Sequence, residues 1–332
     1  MKILPIFNMK GGVAKTTTSV MLAEGFAEFC SFKILIADCD PQFNATRMLV
    51  GSRQIEQIFA SPINKAKTIA RYLQNSVSQA TFPRPAEYVT KSVGTVFGKG
   101  CVDLLAGSPR ILDVDQSMMM TAAAPGRTIE LVLERASTAV VNLNEAGPYD
   151  LAIVDCPAAP SMTVRAFLKA ADLLLVPTTA DDTALAGLGT LDFNLRNLDD
   201  DNIGLIRSRR VLVTRYKNFS QRNLEALKGQ QLLTNTVSES TRIRDARLFS
   251  SAAGDTFSQK YGKTAEKEYK RIVNQLATIL GISIAPTSQP SGLWPKDILS
   301  VKRFGNGGGL SSGTPTDRER ETSTSDQIGK SN

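Results

Sequence analysis

The chain of 332 residues contains no histidine. That absence excludes Ser-His-Asp and Cys-His nucleophilic mechanisms and every metal site built on imidazole. Hydrolysis here must work through carboxylates, lysines, backbone donors and a hard cation. Cysteine is scarce. Cys30, Cys39, Cys101 and Cys156 lie far apart with no CxxC pair. A zinc ribbon or disulfide framework is therefore not expected, and reduced thiols in a cytoplasmic protein are. Long apolar runs are also missing: none approaches the roughly 18–20 residues that span a bilayer. The start, Met-Lys-Ile-Leu-Pro, enters a motif too soon to read as a signal peptide.

What is present is an ordinary globular composition, 42% hydrophobic and 21% charged, enough for one large α/β domain or two small ones. The net charge is +7 and is uneven. Residues 207–271 hold 15 Lys/Arg against 6 Asp/Glu, more than the whole excess. Such a block favours a polyanionic partner, DNA or an anionic membrane, with a solvated face of ordinary helices as the alternative reading of charge alone.

The organising stretch runs from Phe7 to Thr18. An apolar strand, Ile3 to Phe7, leads into Asn8-Met9-Lys10-Gly11-Gly12-Val13-Ala14-Lys15-Thr16-Thr17-Thr18, and a helical pattern follows with Val20, Leu22, Ala23, Phe26 and Ala27 on its apolar face. Strand, glycine-containing loop, Lys-Thr and helix make a phosphate cradle. Successive N–H groups point inward, and the helix N-terminus adds its positive dipole end. Gly11, Gly12, Val13, Ala14, Lys15, Thr16 and Thr17 would line it. Lys15 would reach the β/γ-phosphates of ATP, and the Thr16 hydroxyl would join a Mg²⁺ shell. The usual pattern asks for glycine six residues before the lysine and just before it. Met9 and Ala14 stand there instead. Alanine tolerates positive φ poorly, so an α-type backbone is expected at Ala14.

Two more strands end in acids. Lys33 to Asp38 is followed by Cys39-Asp40-Pro41-Gln42-Phe43-Asn44-Ala45-Thr46, and Tyr149 to Asp155 is followed by Cys156-Pro157. Ligands gather at the carboxyl ends of parallel strands. Asp38 and Asp40, two residues apart, are expected to point the same way, toward one cation or one water. Asp155 reads as a Walker-B acid holding the Mg²⁺ shell.

Lys10-Gly11-Gly12-x-x-Lys15-Thr16 resembles the deviant phosphate loop of the ParA/MinD family, and Asp38-x-Asp40-Pro41-Gln42-x-Asn44-Ala45-Thr46 is similar to its switch segment. Val102 to Ser108 and Gly187-Leu188 match weaker family patterns. The resemblance covers roughly residues 1–281. Ala14 and Ala158 depart from the family's glycine and proline. The resemblance implies a doubly wound, mostly parallel α/β sheet with helices on both faces, a P-loop NTPase fold. It further implies a slow ATPase that forms an ATP-dependent homodimer. Lys10 of one subunit would reach the other's phosphates, Asp40 would orient the attacking water, and Asp38 would support the Mg²⁺ shell. The catalytic set is then Lys10, Lys15 and Asp40.

Similar loops bind DNA in the family, which makes Arg215, Arg242 and Arg244 DNA-binding candidates, with Lys270 added from the basic block. The function implied is partition of DNA. The dimer would bind DNA non-specifically on the nucleoid and be reset by a ParB-like centromere-binding protein. Two alternatives remain: a positioning ATPase for a protein cargo or conjugation complex, and a metabolic P-loop enzyme. Residues 1–285 are read as the ATPase domain, with 50–100 poorly covered. Residues 286–332 read as a disordered tail rich in Gly, Ser and Thr, carrying Leu293-Trp294 and Ile298-Leu299 as a short docking motif. No membrane-binding basic helix of the MinD type is recognised in it. Seven residues precede Asn8, so no helix-turn-helix is expected there.

Further elements are expected from pattern. They are helices near Ile55–Phe59, Ile69–Leu73, Thr128–Leu143, after Asp181, Glu239–Phe249 and Ala265–Leu280, strands at Cys101–Ala106, Asp172–Val176 and Arg210–Thr214, and an edge strand at Gln231–Val237.

Overall fold

The apolar runs assemble into one sheet. The computed structural model describes residues 1–60, 66–94, 96, 98–179, 181–198, 208–215, 227, 230–246 and 256–284. The tail beyond 284 and the loop Tyr216-Lys217-Asn218 lie outside these residues. The strands are β1 (Lys2–Ile6), β2 (Lys33–Asp38), β3 (Thr90–Val93), β4 (Cys101–Leu105), β5 (Leu151–Asp155), β6 (Leu175–Thr178) and β7 (Arg210–Val213). Their order is β3-β4-β2-β5-β1-β6-β7, and every pairing is parallel except that of β3 with β4.

The helices are α1 (Lys15–Cys30), α2 (Asn44–Leu49), α3 (Ser52–Ala60), α4 (Ile69–Ser78), α5 (Ile111–Ala122) and α6 (Ile129–Asn142). After them come α7 (Met162–Lys169), α8 (Asp182–Leu198), α9 (Thr241–Asp245), α10 (Phe257–Tyr261) and α11 (Lys263–Leu280). They cover both faces. Ile34 and Ile36 of β2 pack with α1, α2, α10 and α11, while Leu35 and Ala37 pack with α4 to α8. In β5, Leu151 and Ile153 follow the first pair, Ala152 and Val154 the second. Burial on both sides explains why these strands are apolar without alternation. Among the described residues no helix is long and apolar enough to cross a membrane.

Local signals set most helix ends. Thr128 caps α6 by accepting the Leu131 N–H, and Gly281, at φ 67°, ends α11. Tyr269, Ile272, Val273 and Leu276 of α11 are buried, as their spacing predicts. In the methionine run of α5, Met118 is core while Met119 and Met120 are exposed.

Several expected elements differ. Gln231–Val237 is not a strand but one isolated bridge, Val211 to Leu232. Leu233 donates to the Val211 carbonyl, but the next donor to β7 is Val237, to Val213, so the regular two-residue spacing of a ladder is lost, while Thr234 bonds the Gln275 side chain through its N–H and hydroxyl. β6 begins at Leu175 rather than Asp172. The Asp172 carboxylate is engaged with Lys2 Nζ and the Ile3 N–H at the foot of β1. The helix expected over 239–249 is the single turn and a half of α9, capped by Ser240; residues 247–249 lie outside the described set. β3, with Val93 its one buried residue, carries too little apolar periodicity to be read from pattern; α5 and α7 carry a helical pattern, Ile111, Val114 and Met118 and then Met162, Ala166 and Phe167, but were not among the expected elements.

Candidate nucleotide site

β1 delivers the chain to a loop that is pinned before it turns. Asn8 is buried, donates to the Pro177 carbonyl (2.8 Å) and accepts the Lys10 N–H (2.9 Å). At the far side the Thr214 hydroxyl donates to the Val13 carbonyl (3.1 Å). Between these anchors Gly12 has φ 76° and Ala14 has φ 63°, ψ 32°. The α-type backbone expected at Ala14 is therefore incorrect. The anchored loop imposes a left-handed conformation, and local preference yields to it. Ala14 caps α1 without a side-chain acceptor, and the first turn of α1 has no acid. The helix N-terminus thus keeps its donors and positive end for an anion. A Cβ added at Gly11 or Gly12 would meet nothing within 4 Å, so the loop's rim is open.

A left-handed alanine costs roughly 1–2 kcal/mol, and glycine returns part of this as unfolded-chain entropy. Ala14→Gly is accordingly expected to stabilise the protein by about 0.5–1 kcal/mol. The check is the urea midpoint at unchanged slope; a lower midpoint would mean that Ala14 is unstrained.

Among the described residues, Lys10, Lys15 and Arg215 bring positive charge to the loop. Lys15 Nζ donates to the Lys10 carbonyl (3.1 Å). Burial lowers its pKa, opposed by the charges of Asp155, Cys156 and Asp40. Lys10 Nζ meets Asp181 Oδ1 (2.8 Å) just before α8. Arg215, itself left-handed at φ 55°, donates from Nη1 to the Gly12 carbonyl (3.2 Å) and pairs with Glu239 (3.4 Å). The other basic candidates stand elsewhere. Arg242 of α9 donates to the Gln259 carbonyl of α10. Arg244 is exposed beside Asp245. Lys270 of α11 lies over the Phe29 ring.

The sheet register sets Asp38 beside Asp155 at the carboxyl ends of β2 and β5. Asp38 and Asp40 are held differently, though the Asp40 charge still acts on Asp38, Asp155 and Lys15. β2 stops at Asp38, so strand alternation does not extend to Asp40. Asp38 is fully buried. Its Oδ2 accepts the N–H and hydroxyl of Thr46 (both 2.8 Å), and its Oδ1 accepts the Asp40 N–H. Asp40 is half-buried in the following turn, where Oδ1 accepts the Gln42 N–H (2.8 Å). Gly107 completes this wall. A Cβ there would lie 2.7 Å from Asp38 Cγ, and its N–H bonds Thr46 Oγ1.

Asp155 is also fully buried. Its Oδ1 accepts the Ser19 hydroxyl (3.0 Å), and the nearby Thr16 hydroxyl favours its charged form. Its Oδ2 is buried with no hydrogen-bond partner. Burial, then the Asp38 charge, pushes Asp155 well above the ordinary carboxylate range. Burial raises Asp38 to about 6, against its three hydrogen bonds. Two acids and one orphaned oxygen form a site short of positive charge. Among the described residues no three acidic or cysteine side chains cluster as a self-contained metal cage. The arrangement suits a hard cation that takes its remaining ligands from water and phosphate.

Ser19, Thr46, Thr179 and Asp181 were not read as site residues from sequence. Ser19 had a usable signal, one helical turn beyond Lys15 on α1. Asp181 had none beyond its place at a helix start.

A family profile described as an AAA domain matches residues 1–206, from β1 through α8, and so takes in the loop and all three acids. The chain is 30% identical over 192 residues to the sporulation initiation inhibitor protein Soj of Bacillus subtilis strain 168, covering 57% of this chain and 63% of Soj. It is 23% identical over 256 residues to the chromosome partitioning protein ParA of Caulobacter vibrioides strain NA1000, covering 75% and 85%. An ATP complex of a McdA variant from Cyanothece superposes with a TM-score of 0.61 at 20% identity, covering 86% of this chain and 99% of that one. That last likeness concerns the fold alone; the profile match and the loop geometry carry the assignment. A phosphate loop entered by Lys10, closed by Lys15-Thr16 and backed by Asp155 on a parallel sheet makes this chain a P-loop ATPase of the ParA/MinD family.

Proposed function

We propose that this ATPase partitions DNA, binding it non-specifically as an ATP dimer and releasing it on hydrolysis. In this reading the N–H groups from Gly11 to Thr17 and the Lys15 ammonium hold the β/γ-phosphates. Thr16 and Asp155, with Asp38 behind them, hold the Mg²⁺ shell; the orphaned Asp155 oxygen fits that cation. The metal supplies neutralisation of phosphate charge. Asp40, set on a turn and half-buried, orients the attacking water. Lys10 crosses to the phosphates of a second protomer. Arg215, Arg242, Arg244 and Lys270 offer charge to DNA phosphates, and a ParB-like centromere-binding protein stimulates turnover.

One contact carries the reading: the Arg215 guanidinium on the Gly12 carbonyl. It ties the basic stretch, 15 Lys/Arg within residues 207–271, to the phosphate loop itself. A γ-phosphate that rearranges the loop would change what this cation can offer to DNA. The similarity to the chromosome partitioning protein ParA of Caulobacter vibrioides supports this use of the fold.

The test is binding of random-sequence duplex DNA by the purified protein with ATP, ADP or no nucleotide, at two salt concentrations. Binding is expected only with ATP, and to fall by about 10³ or more between 50 and 200 mM salt if six or more phosphates are contacted. ATP-driven dimerisation without DNA binding in any state would overturn the reading in favour of a protein cargo.

A further inference from the structure

We infer that Asp181 is an internal competitor for the phosphates that Lys10 is positioned to meet, so that the start of α8 holds a nucleotide-free protomer back from dimerisation. The inference rests on the reading above, in which Lys10 engages the nucleotide of a second protomer.

Among the described residues, Gly187, Asp181 and Thr179 contribute to the seat for Lys10. Its stem lies against Gly187 of α8, where an added Cβ would stand 4.0 Å from Lys10 Cβ. Its ammonium is 2.8 Å from Asp181 Oδ1 and 3.4 Å from Thr179 Oγ1. The Thr179 hydroxyl in turn donates to Asp181 Oδ2 (2.6 Å), which orients the carboxylate. Thr179 follows directly on β6, a rigid element of the sheet. Lys10 is thus engaged by the start of α8 of its own chain.

The chemistry of this seat makes it displaceable. Lys10 keeps 27% of its side-chain exposure and Asp181 keeps 51%. An ion pair in that setting is weak, since water screens it and two side chains lose freedom. A triphosphate carries several negative charges and presents more acceptors to an ammonium. Lys10 therefore exchanges the Asp181 carboxylate for a stronger anion only when a second, loaded protomer arrives. The pair sets a threshold for assembly, one that a single charge change should move.

The experiment is sedimentation of the full chain titrated with a non-hydrolysable ATP analogue. Asp181→Asn keeps a side-chain oxygen for Thr179 and a residue well suited to start a helix, but removes the charge. It is expected to lower the analogue concentration at half-dimerisation about two- to fivefold, the range of an exposed pair, with an unchanged thermal midpoint. Thr179→Ala, which removes the orienting hydroxyl only, should give a smaller shift in the same direction. Lys10→Ala should stay monomeric. If Asp181→Asn and Thr179→Ala titrate as the wild type while Lys10→Ala fails to dimerise, the competitor role is overturned and the dimer reading stands. If Lys10→Ala dimerises normally, both fall.

Discussion

Asp155→Asn is expected to abolish Mg²⁺-dependent ATP hydrolysis and to raise the thermal midpoint of the nucleotide-free protein. The two effects share one cause. Asp155 is fully buried beside Asp38, with one oxygen unpartnered. Its folded-state pKa lies well above the ordinary value, first from burial and then from the Asp38 charge. Asp38 is likewise raised, to about 6. The folded chain therefore binds protons more tightly than the unfolded chain. Between the ordinary carboxylate pKa, about 3.9, and the raised folded values, stability falls as pH rises. At pH 7.5 the pair is a liability that a bound cation would remove. Asparagine keeps an oxygen for Ser19 and removes the charge. The expected gain is about 1–3 kcal/mol, within the range for replacing buried charge by a neutral group of similar volume, with the lost attraction to Lys15 set against it.

Hydrolysis should fall on the order of 10²–10⁴-fold, the worth of a few kcal/mol of metal stabilisation. The checks are the thermal midpoint at pH 6 and pH 7.5 and the rate with saturating Mg²⁺. The wild type should be more stable at pH 6, and the variant should lose most of that difference. A lower midpoint in the variant would show that the carboxylate is a structural acceptor. Undiminished hydrolysis would remove Asp155 from the metal.

Substitution at Asp40 is expected to separate binding from turnover. Asp40 is half-buried on the turn after β2, its backbone tied to Asp38 and its carboxylate to the Gln42 N–H. Loss of a group that orients or activates water costs about 10²–10⁴ in rate. Nucleotide affinity should persist, because the loop from Gly11 to Thr17 and Lys15 are intact. The protein should then remain an ATP dimer on DNA. Two variants distinguish chemistry from turn formation. Asp40→Asn keeps an oxygen for the Gln42 N–H, and Asp40→Ala does not. Equal loss of hydrolysis in both, with retained ATP binding, assigns the effect to the carboxylate. Normal turnover in Asp40→Asn would remove that role, and loss in Asp40→Ala alone would make Asp40 a turn residue.

Much of the scaffold was legible because its signals are local. The run Ile3 to Phe7, the Gly-Gly pair and Lys15-Thr16 lie within fourteen residues of one another. β2 and β5 are apolar on both faces, and α6 and α11 have 3.6-residue periodicity with a threonine cap or a glycine stop. β3 was not legible: Thr-Lys-Ser-Val is a strand only because β4 offers it an edge. Nor was the irregularity of Gln231–Val237 legible: Leu233 and Val237 donate to β7, four residues apart rather than two, and no residue in the run announces the break.

By itself the sequence determined the chemistry available: no imidazole, a phosphate loop led by Lys10, acids at two strand ends and a basic stretch near the end of the fold. Such features depend on residue type and short spacing, which the chain carries along its length. Only the tertiary structure decided how those groups are poised. It turned Ala14 left-handed, because the loop is anchored at Pro177 and Thr214. It buried Asp38 among Thr46 and Gly107 and left Asp40 on a turn. It set Arg215 on the Gly12 carbonyl and Lys10 against Asp181. Each of these contacts joins residues far apart in sequence or overrides a local preference, and the crossing order of the parallel strands is what brings them within bonding distance.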